Sequence, residues 1–284
     1  MSKILVTGHM GYIGSRLFKE LKRQGHEVLG IDLKHWGGDL CDKVSLKFRP
    51  YADFKPEYIF HLAAIPRVPY SMEHPEEVLE NNILSTIRIL EYARQSGTKR
   101  VIYSSSSSVV GNGDGPTSPY GASKLIPETL CKNYSDVYGL DTVCLRYFNV
   151  YSKDQTVDGP YATAIANFMH CIRMGRKPFI TGDGEQRRDM LHVSDAVSAN
   201  IFCMEHENDF CGQWFDTATG ENISLNEVEQ IVKKYHPDVV FDRIAERPGD
   251  VRVTKADTSK LKSLGWQTKV DIKTGIEECF NFEV

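Results

Sequence analysis

Ile4-Leu5-Val6-Thr7-Gly8-His9-Met10-Gly11-Tyr12-Ile13-Gly14 is the stretch from which the fold is read. A short apolar run of the kind a buried strand needs passes into the spacing TGxxGxxG. An amphipathic segment follows, Tyr12 to Gln24, with Ile13, Leu17, Phe18 and Leu21 on one face. Gly25 fits the C-cap of that helix. The glycines permit a tight turn, close approach of a pyrophosphate and close packing of helix on sheet. The helix start offers N–H groups and a positive dipole to phosphates. The pattern gains specificity because it follows a strand and opens a helix. The next strand, Val28-Leu29-Gly30-Ile31, ends at Asp32, 18 residues after Gly14. An acid there accepts hydrogen bonds from an adenosine ribose and repels a 2′-phosphate, which favours NAD over NADP. Gly8, Met10, Gly11, Tyr12, Ile13 and Gly14 are therefore cofactor-binding candidates, with Asp32 on the ribose. Asp39-Leu40, after a Gly-Gly turn, is a candidate for the adenine.

Working outward, strands are expected at Tyr58 to Leu62, Arg100 to Tyr103 and Thr142 to Arg146, and helices at Val78 to Arg94 and Pro119 to Tyr138. Repeated strand–helix–strand units predict an α/β fold, a parallel sheet covered by helices on both faces. In such sheets ligands sit beyond the carboxyl ends of the strands. Beyond about residue 150 the pattern loosens. Tyr161 to Arg173 and Ser224 to Tyr235 look helical, Phe179-Ile180 strand-like, and a last helix follows Gly265-Trp266. The expected organisation is a dinucleotide-binding domain over residues 1–150 and a smaller substrate-binding region over 151–284, with interleaved boundaries.

Composition narrows the function classes. With 284 residues, 41% hydrophobic and 25% charged, the chain is long enough for a large core and is not of disordered type. A net charge of -4 without Lys/Arg runs argues against a nucleic-acid partner. No apolar stretch approaches the ~20 residues of a membrane span. Cysteines 41, 131, 144, 171, 203, 211 and 279 stand singly, without CxxC. That pattern fits free thiols in a cytoplasmic protein rather than a disulfide or metal framework.

Tyr120-Gly-Ala-Ser-Lys124 carries the chemistry. Positions i and i+4 share a helix face, so a lysine ammonium can lie near a tyrosine oxygen. A phenol titrates near 10. Lowering it by ~3 units takes about 4 kcal/mol of preferential phenolate stabilisation, which a lysine and a positive nicotinamide can supply together. Ser104 to Ser108 end the preceding strand and offer a hydroxyl to hold a substrate oxygen beside the tyrosine.

These stretches resemble the extended short-chain dehydrogenase/reductases: TGHMGYIG, the Asp32 strand end, His61-Leu62-Ala63-Ala64, Ser104-Ser-Ser-Ser-Ser-Val-Val-Gly111, Tyr120-xxx-Lys124 and Leu145-Arg-Tyr-Phe-Asn-Val150. Gly182-Asp-Gly-Glu-Gln-Arg-Arg-Asp189, His192-Val-Ser-Asp195 and Arg247-Pro-Gly-Asp250 resemble the nucleotide-sugar branch of that family. The resemblance spans nearly the whole chain in motif order. It implies a Rossmann-type doubly wound parallel sheet with a smaller α/β C-terminal substrate domain. It further implies Ser106, Tyr120 and Lys124 as the catalytic set. Leu62, Ala63, Ala64, Asn82, Ser104, Tyr147 and Phe148 would join the cofactor site, with Tyr120 and Lys124. Ser106, Tyr120, Asn149, Arg188 and Arg247 would bind a nucleotide sugar. A homodimer built on the helices at 78–94 and 119–138 is also implied. A guanidinium fork suits a diphosphate.

Sugar dehydratases of this group carry an Asp-Glu pair just after the catalytic hydroxyl, and UDP-glucuronate decarboxylases a Glu nearby. Here Ser107-Ser108 stand in that place. The serine run and the Gly159-Pro-Tyr-Ala162 segment look most like the 4-epimerases for UDP-glucuronate and related UDP-hexoses. Two other readings stay open: an NAD(P)H-dependent 4-keto-sugar reductase or a dehydratase, and a non-catalytic NAD-binding regulatory protein. Val110 departs from the family's common VYG, and the loop from Gly111 to Pro116 is short. Arg67 and Tyr70 are further candidates to touch the sugar.

Overall fold

A computed structural model describes residues 1–34, 38–42, 45–47, 50–111, 113–155, 163–246 and 251–283. The chain divides into two compact units, Met1–Arg146 with Val197–Phe215, and Tyr147–Ala196 with Asp216–Val284.

The first unit holds β1 (Lys3–Thr7), α1 (Tyr12–Arg23), β2 (Glu27–Ile31), α2 (Tyr51–Phe54), β3 (Tyr58–His61), α3 (Val68–Glu73), α4 (Pro75–Ser96), β4 (Arg100–Ser106), α5 (Pro119–Tyr138) and β5 (Asp141–Tyr147). In α1 the buried positions Gly14, Leu17 and Leu21 recur every three or four residues and form its inner stripe. Gly25, just past the helix end, takes φ +85°, the left-handed conformation that stops it. Pro75 opens α4 where no N–H is needed, and Ser118 caps α5 by accepting from the Gly121 N–H.

The six-stranded sheet has the order β10-β5-β4-β3-β1-β2, with β10 formed by Gln213–Thr217. The β1·β2, β1·β3 and β3·β4 pairs are parallel. From β1 the chain goes first to one side and then, with β3, to the other. The crevice beyond β1 and β3 is thus the topological switch point, where such sheets bind ligands. Leu5, Ile59, Val101 and Cys144 from the strands meet Ile89, Leu90, Cys131 and Tyr134 from α4 and α5 in one core. This is the doubly wound α/β architecture expected.

Local reading fell short in two places. β4 does not stop at Tyr103 but continues through Ser106, because partners elsewhere in the fold satisfy these buried serines. The helices α2 and α3 lie where no long apolar period announces them.

The second unit has β6 (Val150–Tyr151), α6 (Ala164–Arg173), β7 (Phe179–Thr181), β8 (Arg187–Arg188), β9 (Leu191–His192), β11 (Ile223–Ser224), α8 (Leu225–Tyr235), β12 (Asp242–Ile244), α9 (Ser259–Ser263) and α10 (Ile272–Phe280). In sequence, β10 and α7 (Val193–Glu205) cross the division. Ser224 and Glu227 form a reciprocal capping box, so the helix read from Ser224 begins one residue later. Short two-stranded pairs surround a core that includes Tyr151, Phe168, Val228, Ile276 and Phe280. Among the described residues no helix is long and apolar enough to cross a membrane.

Candidate active site

The glycine turn is held by contacts only glycine tolerates. Gly8 has φ +68°, and a Cβ there would lie 2.8 Å from the Ala63 nitrogen. A Cβ on Gly14 would lie 2.2 Å from the Gly8 carbonyl oxygen. The N-terminus of α1 has no side-chain cap and no acid in its first turn, which leaves its positive end available to an anion. The Asp32 carboxylate accepts the Met10 N–H at 3.0 Å and the Lys34 N–H at 3.1 Å, tying the end of β2 to the turn. A turn this tight, a helix end without an anion of its own and an acid at the next strand end fit a dinucleotide. Asp39 is exposed and accepts the Cys41 N–H, whereas Leu40 packs its side chain into the sheet core.

Hydrogen bonding fixes the floor of this end atom by atom. Thr7 Oγ1 accepts the N–H groups of Leu62 (3.1 Å) and Ala63 (3.0 Å), so its own proton goes to His61 Nδ1 at 2.8 Å. His61 must then carry its proton on Nε2 and donate to Thr86 Oγ1 at 3.0 Å. Thr86 in turn donates to the Asn82 carbonyl at 2.8 Å. Burial, with the Lys124 charge adding to it, pulls the imidazole down to about 3, so His61 is neutral. The Asn82 amide is consumed within the protein. It accepts from the Ile65 N–H at 2.7 Å and donates to the Ile65 carbonyl and to Ser123 Oγ. Asn82 thus ties the loop after β3 to the helix that bears Tyr120.

That helix is set down closely. A Cβ on Gly121 would lie 2.5 Å from the Ser108 carbonyl, so Gly121 lets α5 approach the turn at Ser107–Val109. Ser71 of α3 accepts the Tyr120 N–H at 3.0 Å. The Tyr120 phenol is half-buried, and the Ser106 hydroxyl donates to Ser108 Oγ at 3.2 Å and accepts the Ser108 N–H at 3.2 Å. The packing of α5 on β4 sets Ser106 at the strand end, with Tyr120 and Lys124 one turn apart on the helix. The Lys124 ammonium donates to the Ser104 carbonyl at 2.9 Å and lies 5.1 Å from the centre of the Tyr103 ring. Burial lifts the Tyr120 phenol above its ordinary value, and Ser106 only partly offsets this. Burial draws Lys124 down to about 8, with Glu128 pulling it back up.

Tyr70 faces elsewhere. Its hydroxyl donates to Glu77 at 2.8 Å on the exposed side, and its ring stacks on His74. Arg67 stands at the N-cap of α3 with φ +105°, a strained setting for any residue but glycine.

In the second unit, Tyr147 and Phe148 are buried, with Phe148 against Ala218 and Ala256. Asn149 (φ +37°) donates to the Asp189 carbonyl at 2.7 Å. Asn149 and Arg188 line a cavity of about 180 Å³ together with Phe179, Gln186 and Met190. Arg247 and the segments 159–162 and 247–250 lie outside the described residues. Sequence reasoning missed Asp189, whose buried carboxylate accepts from Thr219, Gly220 and Ala256.

The model of the NAD dependent epimerase/dehydratase family matches residues 4–218. The chain belongs to this family. The cofactor expected from the glycine turn and Asp32 is the family's own. A UDP-glucose 4-epimerase of Mycolicibacterium smegmatis is 31% identical over 99% of this chain and 98% of its own length. A UDP-N-acetyl-alpha-D-glucosaminuronate decarboxylase of Bacillus cytotoxicus is also 31% identical, over 99% and 97%. The crystal structure of the Thermotoga maritima UDP-glucose 4-epimerase with UDP-glucose superposes with a TM-score of 0.90 at 30% identity, covering 98% of this chain and 97% of that one.

Proposed function

We propose that this chain is a nucleotide-sugar 4-epimerase that works on UDP-glucuronate or a UDP-hexose through a transient 4-keto sugar. One observation carries the reading: α5 packs Tyr120 and Lys124 along the strand that ends at Ser106, and Ser107-Ser108 follow where a carboxyl acid for elimination would stand. Ser106 holds the sugar's 4-oxygen, and Tyr120 takes the 4-OH proton and returns it after the keto sugar turns over. Bound NAD supplies reversible hydride acceptance at C4, and in its oxidised form a positive ring that favours the Tyr120 phenolate. Lys124, protonated below about 8, adds positive charge on the same helix face. Asn149, Arg188 and Arg247 are assigned to the nucleotide diphosphate, with the cavity lined by Asn149 and Arg188 as its seat in the second unit. A homodimer through α4 and α5 fits the exposed Ile126, Val137 and Tyr138 on α5.

The test is incubation with UDP-glucose, UDP-glucuronate and UDP-N-acetylglucosamine, with products resolved by NMR. A C4 epimer is expected from at least one, and none from any defeats the reading. The decarboxylase relative supports a second reading with the same first oxidation, which release of carbon dioxide from a UDP-uronate would favour.

A further inference from the structure

The last three residues of β4 lie along α5. The Ser104 carbonyl accepts from Lys124, Ser105 Oγ donates to Glu128 Oε1 at 2.5 Å, and Ser106 stands at the level of Tyr120, one turn before Lys124. The helix partners are spaced i, i+4 and i+8, one above the other along a single face. Glu128 is 5% exposed and takes both arms of Arg146, Nε at 2.8 Å and Nη2 at 2.6 Å. The Arg146 guanidinium is in turn stacked 3.6 Å from the Trp214 ring centre.

We propose that Glu128 is a positioning residue for the Ser106–Tyr120–Lys124 set: it fixes the strand end through Ser105 and sets a carboxylate, held by Arg146, one helical turn beyond Lys124. The inference rests on the acid/base reading above. Lys124 is buried against a neutral carbonyl. Tyr120 and Glu128 face it from α5, neutral His61 from β3, and the Tyr103 ring from β4. Of these only Glu128 brings negative charge at neutral pH. Glu128 itself is faced by Ser105 and Tyr103 on β4, by Cys144 and Arg146 on β5 and, along α5, by Cys131. Arg146 holds the carboxylate in place. Burial of a lysine without an anion nearby favours its neutral form, and a nearby carboxylate opposes that.

The experiment separates charge from tether. Glu128→Gln keeps the shape and an acceptor for Ser105 but removes the charge. Ser105→Ala removes the tether and keeps the charge. Lys124 is titrated directly by 13Cε NMR of lysine-labelled protein, its signal assigned with Lys124→Met, and kcat is followed against pH. In Glu128→Gln the Lys124 midpoint is expected to fall by about one pH unit or more, and the alkaline limb of kcat to fall with it, while KM holds. In Ser105→Ala kcat is expected to drop several-fold at every pH with the Lys124 midpoint unchanged. An unchanged midpoint in Glu128→Gln overturns the proposal. If Glu128→Gln does not fold because Arg146 is left unpaired, Glu128→Gln/Arg146→Met removes both charges and carries the same expectation. A fallen midpoint in a protein whose wild type epimerises no nucleotide sugar supports the placement of Glu128 and defeats the reaction reading separately.

Discussion

Two neighbouring strand ends, paired His61 to Tyr103, solve the same problem in opposite ways. At the end of β3 every buried polar group is neutral: Thr7, His61, Thr86 and Asn82 pass hydrogen bonds along a chain in which each proton has one place to be. At the end of β4 the fold keeps an ammonium, a carboxylate and a guanidinium in the interior. The first end is a rigid support for the glycine turn and the loop at Leu62–Ala63. The second holds groups whose protonation can change. Placing charge on one side only leaves the β3 end neutral near pH 7, with His61 at about 3, while Lys124 beside the β4 end titrates at about 8.

The sharpest way to break the comparison is Tyr120→Phe. If chemistry resides at the β4 end, losing the phenol removes the proton acceptor, and kcat is expected to fall about 10³-fold. Stability should change by no more than about 1 kcal/mol, since one half-buried hydroxyl is lost. Urea unfolding and NAD titration check that the β3 end is untouched. Activity retained within tenfold would place the acid/base elsewhere.

Thr7→Val attacks the other end. The variant is nearly isosteric but leaves the Ala63 N–H without its acceptor, the Leu62 N–H with only its 3.3 Å bond to the Thr7 carbonyl, and His61 Nδ1 without a donor. A stability loss of about 3–5 kcal/mol is expected from urea denaturation, with weaker NAD binding. Whatever activity remains should keep the wild-type pH profile, because no ionisable group of the β4 end is disturbed.

Local spacing made the β4 end partly legible and the β3 end hardly at all. Tyr120 and Lys124 stand four apart on one helix, and glycines 8, 11 and 14 follow a strand, so a linear reading finds them. Thr7 meets His61 across 54 residues, His61 meets Thr86 across 25, and Ser71 meets Tyr120 across 49. No local period encodes such partners, because the order of strands in the sheet creates them. For the same reason the bond from the Lys124 ammonium to the Ser104 carbonyl, 20 residues away, has no local signal.

Proton linkage sharpens the contrast with a smaller effect. His61 titrates at about 3 when folded against 6.5 in its ordinary state, so the unfolded chain binds more protons between those values. Its contribution is fully present above pH 6.5 and is lost as pH falls towards 3, with a slope of up to ~1.4 kcal/mol per pH unit. Lys124, at about 8 against 10.5, has the same sign in a higher window, so stability rises as pH climbs from 8 towards 10.5. Urea unfolding at a series of pH values measures both. His61→Gln should flatten the acid window by close to one proton and leave the alkaline one alone, and a change in both would mean the two ends are not separate.

The smallest expected effect comes from Tyr70→Phe. Tyr70 lies in the loop-and-helix segment directly after the β3 end, three residues beyond Arg67, and its ring could be taken for a sugar contact from sequence. Its hydroxyl instead donates to Glu77, its ring stacks on His74, and both bonds sit on the exposed side of α3 and α4. An exposed hydrogen bond between side chains exchanges readily with water, so its loss is expected to cost under about 0.5 kcal/mol. The part of α3 that serves the site is Ser71, whose hydroxyl accepts the Tyr120 N–H from the buried side of the same helix. Tyr70→Phe should therefore leave kcat and KM within twofold of wild type for whichever UDP-sugar is turned over. A rise in KM of tenfold or more would show that Tyr70 leaves Glu77 to meet the sugar, and would extend the catalytic end onto α3.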